Sequence, residues 1–259
     1  MNRKAIGLTL CLLATVVTAA RAEEFRDYWE FRYTCGLPGN GYGVTLDGQV
    51  GFDGALQMNI PVGYTPAAGT VSLGYFSGAV NGGIQLGYRG DNVNGTATLG
   101  LGFGRPEHAL WIGHMGTGVA WEAATNAQLQ LLPETEGAPS LAVGVLDMFN
   151  DRGYDVTKPQ EVGALSFYAV ATRQTGSPDH PAYWTVGYGT GRFNNRLFGG
   201  LSYGVSPRLK VLAEYDGFAP NAGAAFDLRP GHGWDAVLFG GLADLDHVTI
   251  GATLTRSSD

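Results

Sequence analysis

The side chains with the most chemical promise in this sequence are Lys210, Glu214 and Asp216. Side chains alternate across a β-strand. If Leu209–Asp216 is one, these three share a face with Leu212, while Leu209, Val211, Ala213 and Tyr215 share the other. A lysine and two carboxylates on one wall can hydrogen-bond a hydrophilic solute, sugar hydroxyls included. Gln57, Asn59, Arg89 and Asp147, with Gln85, Gln128 and Gln130, are candidates to join them from other strands. The same set serves equally well as a mutually paired network that only keeps a barrel in shape. Strand register cannot be read from one sequence, so both uses stay open at this point.

Catalytic patterns are thin. The five histidines (His108, His114, His180, His232 and His247) are scattered and mostly beside turns. There is no H-x-x-x-H pair and no CxxC, so neither the spacing nor the residue types suit a zinc site. No G-x-S-x-G accompanies any serine. Gly187–Gly191 superficially resembles a phosphate loop, but it lacks the Lys-Ser/Thr ending and a helix to follow. These patterns point away from an enzyme and imply no cofactor and no metal.

The elements that must position the polar set read as strands. Trp184–Thr190, Phe198–Tyr203, Leu209–Tyr215 and Gly223–Leu228 run in succession with turn clusters between them. Period-two alternation also marks Leu56–Tyr64, Val71–Tyr75, Ile84–Tyr88, Ala97–Phe103, Ala109–His114, Ala127–Leu132, Leu141–Met148, Leu165–Arg173, Ala236–Leu242 and Val248–Thr255. No later stretch has a helical period. Short spans of this kind suit tilted membrane strands of about 9–11 residues. Twelve to sixteen strands would use up the chain, with fourteen as the central expectation.

The amino terminus reads as an export signal: Arg3 and Lys4, an apolar run over Ile6–Val17, then Ala20-Arg21-Ala22 as a small-x-small site. Cleavage after Ala22 leaves 13 Lys and Arg against 23 Asp and Glu, a net charge of −10. A chain so acidic is a poor partner for nucleic acid, whose binding is driven by phosphate neutralisation. It also leaves Cys35 alone, without a disulfide partner. Residues 23–43 form a lead segment and 44–259 a single β domain.

Two features favour an antiparallel transmembrane β-barrel over a soluble periplasmic sandwich. The faces opposite the aliphatic rows hold Gly, Thr, Gln, Asn and charge, as a lumen would. Aromatics gather near strand ends (Tyr64, Tyr75, Tyr88, Phe103, Trp111, Trp184, Phe198, Tyr203, Tyr215, Trp234 and Phe239), as interfacial girdles require. The 41 glycines then have work to do in bending the sheet and packing a small lumen.

Five pieces in order are similar to the YjbH-type outer-membrane proteins linked to exopolysaccharide production: LAVGVLD at Leu141–Asp147, FYAVAT at Phe167–Thr172, WTVGYGT at Trp184–Thr190, FGGLSY at Phe198–Tyr203 and LKVLAEYDG at Leu209–Gly217. Members of that family are longer, and many carry a lipoprotein cysteine that this chain lacks. The resemblance implies a non-enzymatic outer-membrane barrel, partnered by lipid and by polysaccharide or envelope proteins, acting as conduit or scaffold for an extracellular polysaccharide. A structural barrel that binds envelope partners through its loops, and a soluble periplasmic β-protein, are the competing expectations.

Overall fold

The computed structural model describes residues 36–80, 83–84, 96–117, 123–149, 165–228 and 233–257. The signal peptide, Gln85, Tyr88, Arg89 and His232 lie outside the described residues.

Twelve strands form the wall, in simple up-and-down order. They are β1 (Val71–Val80), β2 (Thr96–Phe103), β3 (Leu110–Thr117), β4 (Ala123–Leu132), β5 (Ser140–Leu146) and β6 (Ser166–Ser177). The remainder are β7 (His180–Gly189), β8 (Arg196–Ser206), β9 (Leu209–Tyr215), β10 (Pro220–Asp227), β11 (Asp235–Ala243) and β12 (His247–Arg256). Each pairs antiparallel with the next, and β12 returns to β1, with Arg256 opposite Val71 and Thr249 opposite Gly78. The sheet therefore has no open edge, which is the arrangement that satisfies every ladder in a solvent unable to hydrogen-bond. The strand number falls at the low end of the expected range rather than at fourteen.

The parity read from Leu209–Tyr215 is realised up to Glu214 and fails at Tyr215, which is buried and donates its O–H to the Gly217 carbonyl at 3.1 Å. Lys210, Leu212 and Glu214 are buried inside, while Val211 and Ala213 face out. The same rule holds around the wall. Leu73, Leu99, Leu101, Ile112, Leu129, Val186, Leu197, Phe226, Leu238 and Leu254 are all exposed on the outer face. A contiguous apolar exterior of this kind is far larger than a water-facing surface tolerates and is what a lipid-facing barrel presents.

The two mouths differ. One carries both termini of the wall and the connections 104–109, 133–139, 178–179 and 207–208. The other carries residues 147–165, the longest connection between consecutive strands, together with the turns at 190–195, 216–219 and 244–246. Turn chemistry is local: Asn194 and Asn195 take φ of 60° and 52°, and Asp216 Oδ1 accepts from the N–H groups of Phe218 (2.9 Å) and Ala219 (3.0 Å).

The largest departure from the sequence reading is at 36–69. This stretch is not wall; it lies inside the barrel and fills it. Gly43–Val44 pairs with Val50–Gly51 as a small hairpin, and single bridges join Asn40 to Gln57 and Val44 to Ala55. Nearly all of its residues are buried. Leu56–Tyr64 alternates like a strand, yet Pro61 has no N–H for a ladder. At Gly63 a Cβ would stand 2.6 Å from the Thr172 backbone nitrogen, so the segment approaches the wall closer than a side chain allows. The boundary expected at residue 44 thus falls within this plug, and the wall begins at Val71.

Plug and wall share three apolar clusters. Leu37 and Ile60 meet Met115, Leu146, Tyr168, Phe193 and Phe198. Phe52, Leu56 and Met58 meet Leu212, Val237 and Phe239. Tyr42, Val44, Val50, Val62 and Tyr64 gather around Tyr183. Trp111, Phe198, Tyr215 and Phe239, expected in the girdles, are buried, and Tyr64 belongs to the plug. Tyr75, Phe103, Trp184 and Tyr203 do lie exposed on the outside. Trp111, Phe198 and Phe239 sit at inward positions of their strands, where the lumen, already holding the plug, has room for rings that strand ends do not offer.

Candidate functional site

The polar lining of the lumen is bound to the backbone of the plug. On β9, Glu214 accepts from the N–H of Met58 at 2.9 Å and of Asn59 at 2.7 Å, and from Asn221 Nδ2 at 3.2 Å. Two pleat repeats away, Lys210 Nζ donates to the carbonyls of Phe52 and Gly54, the latter at 2.7 Å. The ammonium also stands 4.8 Å from the Phe52 ring centre and 5.5 Å from that of Tyr183, a cation–π cradle. Asp53 and Asp227 act on its charge. Residues four apart on a strand share a face, so one strand supplies both an anionic and a cationic clamp on the stretch Phe52–Asn59.

The other strands repeat the arrangement with neutral groups. Ser202 Oγ accepts from Leu56 N–H (3.3 Å), Thr172 Oγ1 from Gly63 N–H (2.7 Å), and Gln130 Oε1 from Thr65 N–H (2.9 Å). Gln128 Nε2 donates to the carbonyls of Val62 (3.1 Å) and Tyr64 (3.2 Å) and to Thr65 Oγ1 (2.9 Å), while its Oε1 accepts from Tyr168 O–H. Ser140 Oγ donates to the Gly63 carbonyl and Thr253 Oγ1 to that of Gly41. Arg192, buried in the Gly191–Phe193 turn, reaches the Asn59 carbonyl at 3.3 Å. Tyr64 O–H donates to Glu134, which also accepts the Gln174 N–H. A plug with little secondary structure of its own must send its backbone groups somewhere, and these side chains are where they go.

The residues picked from sequence are therefore partly brought together, in a way not foreseen. Lys210 and Glu214 line the lumen as expected. Gln57 and Asn59 are inside it too, but as part of the plug. Gln57 is fully buried against Gly200, where a Cβ would lie 2.6 Å from Gln57 Oε1. Asp216 is spent on capping its own turn. Asp147 follows β5 directly, with φ of 52°, and donates its N–H to Asn126 Oδ1 at 2.9 Å. Arg89 is outside the described residues. Sequence reasoning missed Arg192, Ser140, Thr172 and Ser202. Thr172 and Ser202 sit at inward positions of recognised strands, so parity could have found them, whereas Ser140 lies one residue before the strand expected at Leu141. Arg192 lies in a turn and gave no such signal.

Chemically, this lining holds a peptide rather than a solute. Among the described residues no group of three or more His, Cys, Asp or Glu is placed to hold a metal ion.

No family model matches the chain, and no curated protein matches it. Among solved structures, the chain is similar to a KdgM porin in complex with disordered oligogalacturonate, with 8% identity over 73% of this chain and 99% of that one, at a TM-score of 0.49. A second KdgM porin structure gives 8% identity over the same shares and a TM-score of 0.48. A de novo designed transmembrane β-barrel gives 14% identity over 74% of this chain and 97% of that one, at a TM-score of 0.21.

Proposed function

We propose that the chain is an outer-membrane β-barrel that works as a closed scaffold, not an open conduit, in the surface assembly of an extracellular polysaccharide. The observation that carries the scaffold half is the occupied lumen. Plug and wall share three buried apolar clusters, so emptying the lumen amounts to unfolding a core. Native domains are stable by about 5–15 kcal/mol. Even the low end, at about 1.4 kcal/mol per factor of ten, leaves fewer than roughly one molecule in 10³ open at any moment. The apolar exterior and the closed ladder support the membrane half. The polysaccharide half rests on the ordered resemblance to the YjbH-type proteins and on nothing in the site itself.

One experiment separates scaffold from conduit. A Cβ placed on plug residue Gly51 would stand 3.7 Å from the Cβ of wall residue Asp235, close to the roughly 3.8 Å mean of a disulfide. Gly51→Cys with Asp235→Cys, in a Cys35→Ser background, should pin the plug. Deletion of the chain should reduce extracellular polysaccharide, and the pinned variant should restore it as fully as wild type does. Failure of the oxidised variant, with rescue on reduction, would favour the conduit. An unchanged polysaccharide yield on deletion would remove that assignment altogether.

A further inference from the structure

The outward face of β9–β12 carries a groove of about 570 Å³. Along one side of it runs a single row of paired residues: Leu209 opposite Phe226, Phe226 opposite Leu238, Leu238 opposite Ala252, and Ala252 opposite Tyr75. Phe226, Leu238 and Tyr75 are exposed and stand proud of the sheet. The next outward row, towards the 216–219 turn, pairs Ala224 with Gly240. Side chains all but vanish there, so backbone forms the floor. A Cβ on Gly240 would meet nothing nearer than the Thr249 carbonyl at 3.9 Å, so the space above it is open.

Charge stands at one end only, the mouth that carries the termini of the wall. Arg208 immediately precedes Leu209, and Arg256 ends β12 four residues beyond Ala252 and on the same face. Both are exposed. The Arg256 guanidinium lies 5.9 Å from the Trp234 ring centre, and among the described residues no carboxylate pairs with either arginine. A second outward groove, lined in part by Leu129, Val143 and Phe167, ends differently at this mouth: β4 runs on into the 133–139 connection, which brings Glu134 and Glu136.

We infer that the β9–β12 groove binds an anionic phospholipid, with acyl chain on the Ala224–Gly240 floor and phosphate at Arg208 and Arg256. This rests on the membrane reading proposed above. A guanidinium holds phosphate through paired N–H donors, and an aromatic ring such as Trp234 suits the depth where headgroup meets hydrocarbon. The dimensions agree. Gly240 to Trp234 is six residues, about 20 Å along a strand. At a tilt of about 40° that is about 15 Å of depth, half of a hydrocarbon core of about 30 Å. One leaflet therefore reaches from the arginines to the floor. Short turns face the periplasm in barrels of this kind, so the leaflet is the inner one and the ligand a glycerophospholipid rather than lipid A. The second groove, with carboxylates at the corresponding end, repels the same headgroup.

The test uses the full-length protein, folded in detergent that contains equal amounts of phosphatidylglycerol and phosphatidylcholine with identical chains. After washing in lipid-free detergent, the lipid retained per barrel is counted by mass spectrometry. Wild type should keep phosphatidylglycerol over phosphatidylcholine by about tenfold or more, the worth of one charged hydrogen bond. Arg208→Gln with Arg256→Gln should bring that ratio to about one. Gly240→Leu, which extends into open space and leaves the wall undisturbed, should lower phosphatidylglycerol retention. Equal retention of the two lipids by wild type would overturn the inference. A ratio unchanged in the arginine variant, full retention by Gly240→Leu, or preferred retention of lipid A added to the same mixture would also overturn it. The heat-dependent gel shift, read on every variant, keeps the two readings apart. A wild type without that shift would remove the membrane reading and the site with it, whereas a barrel that shifts normally but shows no lipid preference would remove the site alone.

Discussion

Removing the Glu214 carboxylate tests whether wall side chains hold the plug. Its two oxygens accept from the Met58 and Asn59 N–H groups at 2.9 and 2.7 Å, and both of those residues are buried. A hydrogen bond to a charged group contributes about 1.5–3 kcal/mol, and a buried donor left unmatched costs about 1–3 kcal/mol. Glu214→Ala strands two such donors and the Asn221 amide. We expect a loss of about 3–5 kcal/mol. At about 2–4 °C per kcal/mol for a domain of this size, the folded-to-unfolded transition should fall by roughly 6–20 °C. Glu214→Gln keeps one acceptor oxygen and should lose about half as much. The assay is the temperature at which unboiled, detergent-solubilised protein loses its compact gel migration. An Ala variant within about 2 °C of wild type would refute the idea that this residue clamps the plug.

Two further substitutions probe the two faces of the wall. Val211 is one residue from Lys210 and points outward, so Val211→Arg should cost about 2–4 kcal/mol near the bilayer midplane when folding is measured into lipid vesicles. A water-facing exterior would leave stability unchanged. Gly63→Ala places a methyl 2.6 Å from the Thr172 nitrogen. Because backbone stands on both sides, we expect an overpacking loss of about 1–3 kcal/mol in a urea titration, and an unchanged midpoint would mean that plug and wall do not meet there.

Much of the wall was legible in advance because a half-buried strand writes its environment into every second residue. Lys210, Leu212 and Glu214 against Val211 and Ala213 is the clearest instance. The plug was not legible for the same reason in reverse. Leu56, Met58, Ile60 and Val62 are all buried in the lumen, so their alternation with Gln57 and Asn59 does not mark an inside and an outside. Proline was the available warning: Pro38, Pro61 and Pro66, with eight glycines between Gly39 and Gly69, suit an irregular chain better than a ladder. Ring placement misled for a related reason. Trp111 and Phe198 look like girdle residues from strand position alone, but inward glycines such as Gly113 and Gly187 leave space for them inside; a Cβ at either would fall within 2.2 Å of a ring atom. Polar candidates on β9 could be found by parity, whereas their partners, backbone groups more than 150 residues earlier, could not.

Whether residues 36–69 occupy the lumen in the membrane is decided most directly by crosslinking Gly51→Cys to Asp235→Cys, in the Cys35→Ser background, in intact membranes. Mild oxidation should convert nearly all of the folded protein to a form whose denatured, unreduced band migrates faster than the reduced one, with no thiol left for maleimide. Thiols that stay reactive while the wall is folded would contradict a filled barrel.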